Sequence, residues 1–260
     1  MSFFKQFPQI QYDFKRDGIL QNMVDIYRSV RPLPSFLDNI SAYKFYNVVN
    51  GERPDIVSGR IYGTSQFYWT FFVVNEHLHD GYRSWPLSQE SLLSYINKQY
   101  DGFVIETAPS VLNDPTHGAF ANSLAGRFQV GETITGSTSG ASGTLTKKIT
   151  DLSQLVVQNV TGTFEAPELI SGSTSADGVS SHAVYKYIDA PYYYYDQADV
   201  DKKPITNALH INGGVYTSNT NYVSNREHIE EKNDEYAQIR YIDPNYINQF
   251  VREFNNLLNI

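Results

Sequence analysis

The sequence predicts an α+β fold with a small helix and strand core, helices toward the C-terminus and an inserted antiparallel β module. Three observations indicate this arrangement. Residues 42–105 combine helical and strand periods, residues 119–188 change abruptly to Gly, Ser and Thr between alternating apolar positions, and residues 189–260 end in an apolar helical stripe. We therefore expect three regions, namely 1–118, 119–188 and 189–260.

The first region starts its regular structure with an alternating segment. Residues 42–49 alternate in character and end at Asn50-Gly51, a turn signal, which predicts a strand. Pro54 is tolerated in a first helical turn, so a short helix is expected over residues 55–63. A second helix is expected from Ser65, as its N-cap, to Asn75.

A third helix is expected after residues 88–91, because Ser-Gln-Glu-Ser is typical of a helix N-terminus. Its expected apolar face consists of Leu92, Leu93, Ile96 and Tyr100. The first region is therefore predicted to be mainly helical after its strand.

The second region contains an internal repeat, because residues 128–139 recur 36 residues later as residues 164–175. The aligned positions include Glu132 with Glu168 and Gly136 with Gly172. Each copy carries a strand signal that ends in a Gly and Ser turn, so about residues 124–188 are predicted to form duplicated antiparallel hairpins. A disordered linker fits less well, because both copies keep apolar residues at strand spacing.

The third region contains a run of four tyrosines, Tyr192 to Tyr195, and a strand and turn signal at Gly213-Gly214. Asn225 predicts the start of a charged helix that continues to Ile239, followed by either a strand or a sharp connection over residues 240–243. Pro244 then predicts a closing helix over residues 246–258. The apolar stripe of that helix consists of Ile247, Phe250, Val251, Phe254, Leu257 and Leu258. This stripe either lies in the core or is partly exposed to a partner.

Composition narrows the function classes. The net charge of −8 argues against a nucleic-acid partner, and the absence of Cys excludes thiolate catalysis and Cys-type zinc sites. No run of 18 apolar residues and no signal peptide pattern is present, so neither a membrane span nor export is expected. Aromatic residues make up 14% of the chain, with 20 Tyr and 15 Phe, which favours large protein contacts.

Sequence motifs that would indicate catalysis or metal binding are weak throughout the chain. His77, His79 and Asp80 could supply metal ligands, but no further ligand stands at a recognisable spacing. No nucleophile elbow, phosphate loop or glycosidase pair is evident, and the acidic residues 230–235 are typical of a solvated helix face. We therefore predict that the chain is not an enzyme and has no catalytic residue, cofactor, metal or small-molecule substrate.

Aromatic residues are the stronger candidates for function. Trp69 is expected in the core from its helical spacing, whereas Trp85, in a loop before Pro86, is the better candidate for a protein contact. The tyrosine run forms either an aromatic binding surface or a strand with both faces covered. The complete set of predicted interface residues is Tyr62, Tyr68, Trp85, Tyr192, Tyr193, Tyr194 and Tyr195.

Four segments carry a resemblance to a known family: Arg53–Trp69, Val74-Asn75, Gly81–Trp85 and Ser88–Glu90. Their order of Arg-Pro, Ile-Tyr-Gly, Tyr-Trp, Asn and a later Trp before Ser-Gln-Glu resembles the baseplate wedge subunit 53 family of T4-like contractile-tailed phages. The segment Asn233–Phe254 resembles the C-terminal region of the same family. The likeness covers about residues 20–105 and 185–258, and residues 124–188 look like an insertion.

The resemblance implies a structural protein of the virion, located in the tail baseplate and assembled in the host cytoplasm. It implies that the chain clamps other wedge subunits and joins neighbouring wedges around the hub, with six copies expected in each baseplate. Its expected partners are therefore the other wedge subunits and the neighbouring wedges, without a nucleic acid or a membrane.

The core of about residues 42–105 is also similar to LysM modules, in which two helices pack on one side of a two-stranded sheet. Ile61-Tyr-Gly, Trp69 and Asn75 carry this similarity. It implies an alternative function as a peptidoglycan-binding module on a tail protein. A single copy without an export signal favours the structural function instead.

Overall fold

A computed structural model describes residues 7–25, 42–107, 124, 126–205, 211–212, 215–216 and 219–258. In these ranges the strands are β1 (Gln9–Tyr12), β2 (Gln21–Val24), β3 (Tyr43–Asn47), β4 (Phe103–Thr107), β5 (Thr133–Gly136), β6 (Ser142–Ile149), β7 (Gln154–Thr161), β8 (Leu169–Gly172), β9 (Gly178–Lys186), β10 (Pro191–Asp196), β11 (Ile211–Asn212), β12 (Val215–Tyr216), β13 (Thr220–Ser224) and β14 (Gln238–Ile242). The α-helices are α1 (Pro54–Tyr62), α2 (Trp69–Val74), α3 (Gln89–Gln99), α4 (Asn225–Ala237) and α5 (Ile247–Leu258).

Helices and antiparallel sheets together confirm the predicted α+β class. The chain forms two compact units, Met1–Ser91 with Lys232–Ile260, and Leu92–Glu231. None of the helices in the described ranges is both long and apolar enough to cross a membrane.

The first unit contains two small sheets, β1 with β2 and β3 with β14, each antiparallel. Strand β3 confirms the strand predicted over residues 42–49, and its partner comes from far along the chain. Helix α1 confirms the helix predicted over residues 55–63: it begins at Pro54 and ends at Tyr62, before Gly63, which adopts a φ of 72°.

The second predicted helix is broken in two. A 3-10 turn, Ser65–Phe67, precedes α2, and Thr64 rather than Ser65 is the capping residue. The reason is local, because the extended backbone at Thr64 lets its hydroxyl accept a hydrogen bond from the Gln66 N–H at 3.3 Å.

The core of the first unit consists of two apolar clusters. One joins Trp69 and α2 to the buried stripe of α5 and to Ile242, and the other surrounds Phe71, Trp85 and Ile239. In α5 the buried residues are Ile247, Phe250, Phe254 and Leu258. Four of the six stripe residues therefore lie in the intramolecular core, while Val251 and Leu257 are partly exposed.

The second unit is built around a closed antiparallel barrel in the order β4-β7-β6-β5-β8-β9. The predicted duplicated hairpins are confirmed as β5 with β6 and β8 with β9. Strand β4, which the sequence analysis did not assign, closes the barrel by pairing with both β7 and β9. Apolar residues at strand spacing, among them Ile105, Ile134, Leu155 and Ile170, fill the interior.

The remaining elements of the second unit differ in detail from the sequence predictions. Helix α3 buries Leu92 and Ile96, but Leu93 is 40% exposed because it lies about 100° around the helix from Leu92. Strand β10, which contains the tyrosine run, pairs with β13. The predicted turn at Gly213-Gly214 lies outside the described residues, between the paired strands β11 and β12.

Candidate protein-binding residues

The side chain of Asn75 bonds to a distant strand, which its place in the aromatic segment of the sequence did not reveal. Its Nδ2 donates to the carbonyl of Arg240 at 2.8 Å, and its Oδ1 accepts from the Arg240 N–H at 2.8 Å. The same Nδ2 donates to the carbonyl of Phe71 at 2.8 Å. Asn75 is 1% exposed, so one side chain ties α2 to β14 through a buried amide.

Trp69 lies in the core, as predicted, with 7% of its surface exposed. Its ring centroid lies 4.8 Å from that of Phe254 and 6.2 Å from that of Phe250. These ring contacts pack α2 against α5.

Trp85 is also buried, with 6% of its surface exposed. Its indole Nε1 donates to the carbonyl of Glu52 at 2.7 Å, and its ring packs against Phe71 and Phe72. A loop before Pro86 is typical of exposed positions, but this hydrogen bond and these rings hold the loop against the core. Trp85 therefore presents little surface to a partner, contrary to the expectation from its place in the sequence.

Tyr62 and Tyr68 are both partly exposed. The Tyr62 hydroxyl donates to the carbonyl of Ile242 at 3.0 Å, and burial raises the pKa of this hydroxyl. The Tyr68 ring lies 6.1 Å from that of Tyr82, which is 62% exposed. Tyr62 thus contributes to internal packing, while Tyr68 and Tyr82 form a surface pair.

Burial differs from residue to residue along the tyrosine run. Tyr194 is 7% exposed and donates its hydroxyl to Glu106 Oε1 at 2.9 Å, whereas Tyr192 is 43% exposed and stacks on His228 at 3.8 Å between centroids. Tyr193 and Tyr195 are partly exposed. The run therefore combines the two alternatives, with an anchored residue and an accessible aromatic edge.

Glu106 is fully buried on β4, where it stands opposite Gln154 on β7 and Ala183 on β9. Burial raises the pKa of the Glu106 carboxyl to about 7, against the opposing effect of the Tyr194 hydrogen bond. The Gln154 Nε2 donates to the carbonyl of Pro191 at 3.1 Å. Both polar side chains thus attach β10 to the outside of the barrel.

The aligned glutamates of the repeat make crossed contacts that sequence analysis missed. Glu132 Oε2 accepts from the N–H groups of Thr174 and Ser175 at 2.9 Å, in the turn of the second copy. Glu168 Oε2 accepts from the N–H groups of Thr138 and Ser139 at 3.1 and 3.0 Å, in the turn of the first copy. Each copy therefore holds the turn of the other.

Hydrogen bonding also sets the acidity of these two side chains. Burial acts to raise their pKa values, but the bonds from Ser175 and Gln129 to Glu132, and those from Ser139 and Glu165 to Glu168, outweigh it. Both pKa values consequently lie below the ordinary value of a glutamate. The signal available in the sequence was the alignment of the two glutamates, which did not reveal the exchange.

In the described part of the chain, His77 and His79 make other contacts than those of a metal centre. Among the residues that the structure describes, no group of three or more His, Cys, Asp or Glu side chains could hold a metal ion. His79 Nε2 lies 3.2 Å from Asp80 Oδ1, and the His77 ring stacks on Tyr236 at 6.3 Å between centroids.

Comparison with known proteins gives one family. Residues 2–105 match the family model described as base plate wedge protein 53. No curated protein matches the chain. The name of the family indicates a structural protein of the phage tail baseplate, located in the virion and associated with other baseplate components. The matched residues do not include 185–258, so the resemblance of that segment to the same family remains a prediction. The match over residues 2–105 supports the resemblance of the N-terminal region to the base plate wedge protein 53 family.

Proposed function

We propose that this chain is a structural, non-enzymatic subunit that clamps other wedge subunits and joins neighbouring wedges around the hub during baseplate assembly. The family match over residues 2–105 is the observation that carries the proposal. Six copies in each baseplate and assembly in the host cytoplasm belong to the same proposal.

A joining subunit needs a framework that keeps its shape while its surfaces bind. The first unit supplies one, because Asn75 bonds α2 to β14 and Trp69 packs on Phe250 and Phe254. Both contacts connect the region of the family match to the C-terminal segment of the chain. Such long-range contacts support a mechanical function, since a load on one segment is borne by the other.

The predicted contact residues fall into two groups in this proposal. Tyr68, Tyr192, Tyr193 and Tyr195 keep exposed or partly exposed rings that can bury surface against a partner. Trp85 and Tyr194 act from inside: Trp85 packs on Phe71 and Phe72 of α2, the helix that follows Tyr68, and Tyr194 anchors the strand that carries the other three tyrosines.

Sedimentation of the chain with the purified wedge subunits of the same phage tests the clamp. We expect Tyr192→Ala to weaken association by about tenfold, as for an aromatic residue in a contact. Tyr95→Ala is the matched control, because Tyr95 is 47% exposed against 43% for Tyr192 and is not a predicted contact. No co-sedimentation of the unaltered chain would contradict the proposal.

The alternative function is peptidoglycan binding by a LysM-type module. The pairing of β3 with β14 beside α1 and α2 supports this alternative, because in a LysM module two helices pack on one side of a two-stranded sheet. Retention of the chain on purified cell wall, competed by soluble N-acetylglucosamine oligomers, would support this alternative. Loss of that retention in Tyr82→Ala would locate the site on the exposed Tyr68 and Tyr82 pair.

A further inference from the structure

We propose that the outer edge of β3, from Phe45 to Asn47, accepts an extended and uncharged segment of another baseplate protein as a third strand. This inference rests on the proposed function, because it describes one contact through which the chain meets other baseplate components. Five observations on the first unit lead to it.

The first observation is which residues of β3 form backbone hydrogen bonds with β14. The Val48 N–H donates to the carbonyl of Ala237 at 2.8 Å, and the Asp243 N–H donates to the carbonyl of Ala42 at 2.9 Å. Neighbouring residues of an antiparallel strand alternate between bonding to the partner and facing away from it. The backbone groups of Phe45 and Asn47 therefore face away from β14.

The second observation is the contrast between the two edges of this sheet. Arg240 stands opposite Phe45, so its backbone groups also face away from the pair, and Asn75 bonds to both of them. On the β3 side, within the described part of the chain, no strand or side chain bonds to the outward groups of Phe45 and Asn47. Within the described residues, one edge is thus satisfied internally and the other has no backbone partner.

The third observation is the limit of the open edge. The Val49 N–H also faces outward, but it donates to Glu52 Oε2 at 3.1 Å. The open stretch therefore ends after Asn47, and it fits a partner strand of only a few residues.

The fourth observation is the side chain at the centre of this edge. Phe45 is 78% exposed, although open edge strands usually carry charges or prolines that prevent pairing. Lys44 does not protect this edge from pairing with another strand, because its ammonium group is bound to Asp243 at 2.8 Å. An apolar ring beside free backbone groups is the combination that a strand-adding partner uses.

The fifth observation is the charge around the edge. The ion pairs that touch β3 are closed within the chain: Lys44 bonds to Asp243 at 2.8 Å, and Arg60, which also donates to the Tyr46 hydroxyl, bonds to Glu52 at 2.6 Å. Complementarity then favours a partner strand without charges and with an apolar side chain opposite Phe45.

Hydrogen exchange resolved by residue tests the proposal on the isolated chain and on baseplates assembled from purified wedge proteins. In the isolated chain, we expect fast exchange of the Phe45 and Asn47 amides and slow exchange of the Lys44 and Tyr46 amides. On assembly, the Phe45 and Asn47 amides should slow by at least about tenfold, because they acquire a strand partner.

Two variants separate the backbone from the ring. Phe45→Pro removes the ring and the outward N–H but no bond to β14, since those bonds come from its neighbours, and it should reduce incorporation into baseplates more than loss of the ring alone. Phe45→Ala keeps the N–H and removes the ring, so it should reduce incorporation less. Slow exchange of the Lys44 and Tyr46 amides in both variants verifies that the sheet has formed.

The outcomes are distinguishable. If the chain enters baseplates and the Phe45 amide still exchanges fast, the inference is overturned while the proposed function stands. If the chain never enters baseplates, the proposed function itself fails. If the Phe45 amide becomes protected in the isolated chain as its concentration rises, the occupant is a second copy, which overturns the assignment to another protein.

Discussion

Asn75 forms a two-way hydrogen bond with the backbone of Arg240, 165 residues further along the chain, with 2.8 Å for each bond. A side-chain amide here takes the place that a neighbouring strand would take at the edge of β14. The contact joins the region of the family match to the C-terminal segment.

Replacement of Asn75 should therefore destabilise the first unit. Asn75→Ala leaves the Arg240 N–H and carbonyl without this partner in a buried site, which should cost about 3 kcal/mol in the free energy of unfolding. Asn75→Asp should cost at least as much at neutral pH, because a carboxylate cannot donate to the carbonyls of Arg240 and Phe71. Chemical denaturation measures both, with the exposed Asn248→Ala of α5 as the control. Unchanged stability in Asn75→Ala would refute this account of the edge.

The crossed glutamate contacts give a prediction about pairwise coupling. Glu132 should couple to Ser175 by roughly 1–2 kcal/mol in a double-mutant cycle, because the Ser175 hydroxyl donates to its carboxylate. Glu132 and Ser139 belong to the same repeat copy, and their substitutions should be additive. The reverse pattern would show that each glutamate holds the turn of its own copy.

The same glutamates should make stability depend on acid pH. Their folded pKa values are lowered, so their contribution is present above the ordinary pKa of a glutamate and is lost as the pH falls through the folded values. The denaturant concentration at the midpoint of unfolding of the native chain should consequently decrease as the pH is lowered below about 4.5. Glu132→Gln combined with Glu168→Gln should have a shallower decline in this window, and an unchanged decline would contradict the prediction.

Glu106 should act in a different pH window and with the opposite sign. Its folded pKa is raised to about 7, so the stabilising effect of its proton is complete below the unfolded pKa and is lost as the pH rises through about 7. The loss between about pH 4.5 and pH 7 should be on the order of 3 kcal/mol. Glu106→Gln, which stays neutral, should remove this slope, as denaturation at pH 5 and pH 8 would measure.

The glycines beside the crossed contacts should not tolerate a methyl group. A Cβ on Gly172 would lie 2.6 Å from Glu132 Oε2, so Gly172→Ala should cost about 1–3 kcal/mol by displacing that carboxylate. Gly126→Ala is the control, because a Cβ at Gly126 meets none of the described residues within 4 Å. Equal stability of the two variants would argue against the contact.

The local elements were predictable from sequence because their signals are local. Pro54 and Gly63 mark the ends of α1, and the apolar stripe of residues 247–258 already shows which face of α5 is buried. The repeated strand signals likewise predict the hairpins β5 with β6 and β8 with β9.

The features that sequence could not give depend on distant partners. Nothing near Asn75 indicates Arg240, and nothing near Trp85 indicates that the Glu52 carbonyl will bond to its indole. Strand β4 precedes the repeat, so only the closed barrel shows that it pairs with β7 and β9. The alignment of Glu132 with Glu168 is visible in the sequence, but which turn each one holds is decided by the packing of β5 against β8.

Electron microscopy of the purified wedge proteins, mixed with and without this chain, tests the central proposal most directly. The account predicts closed six-fold rings when the chain is present and separate wedges when it is left out. Rings that close equally well without the chain would contradict it.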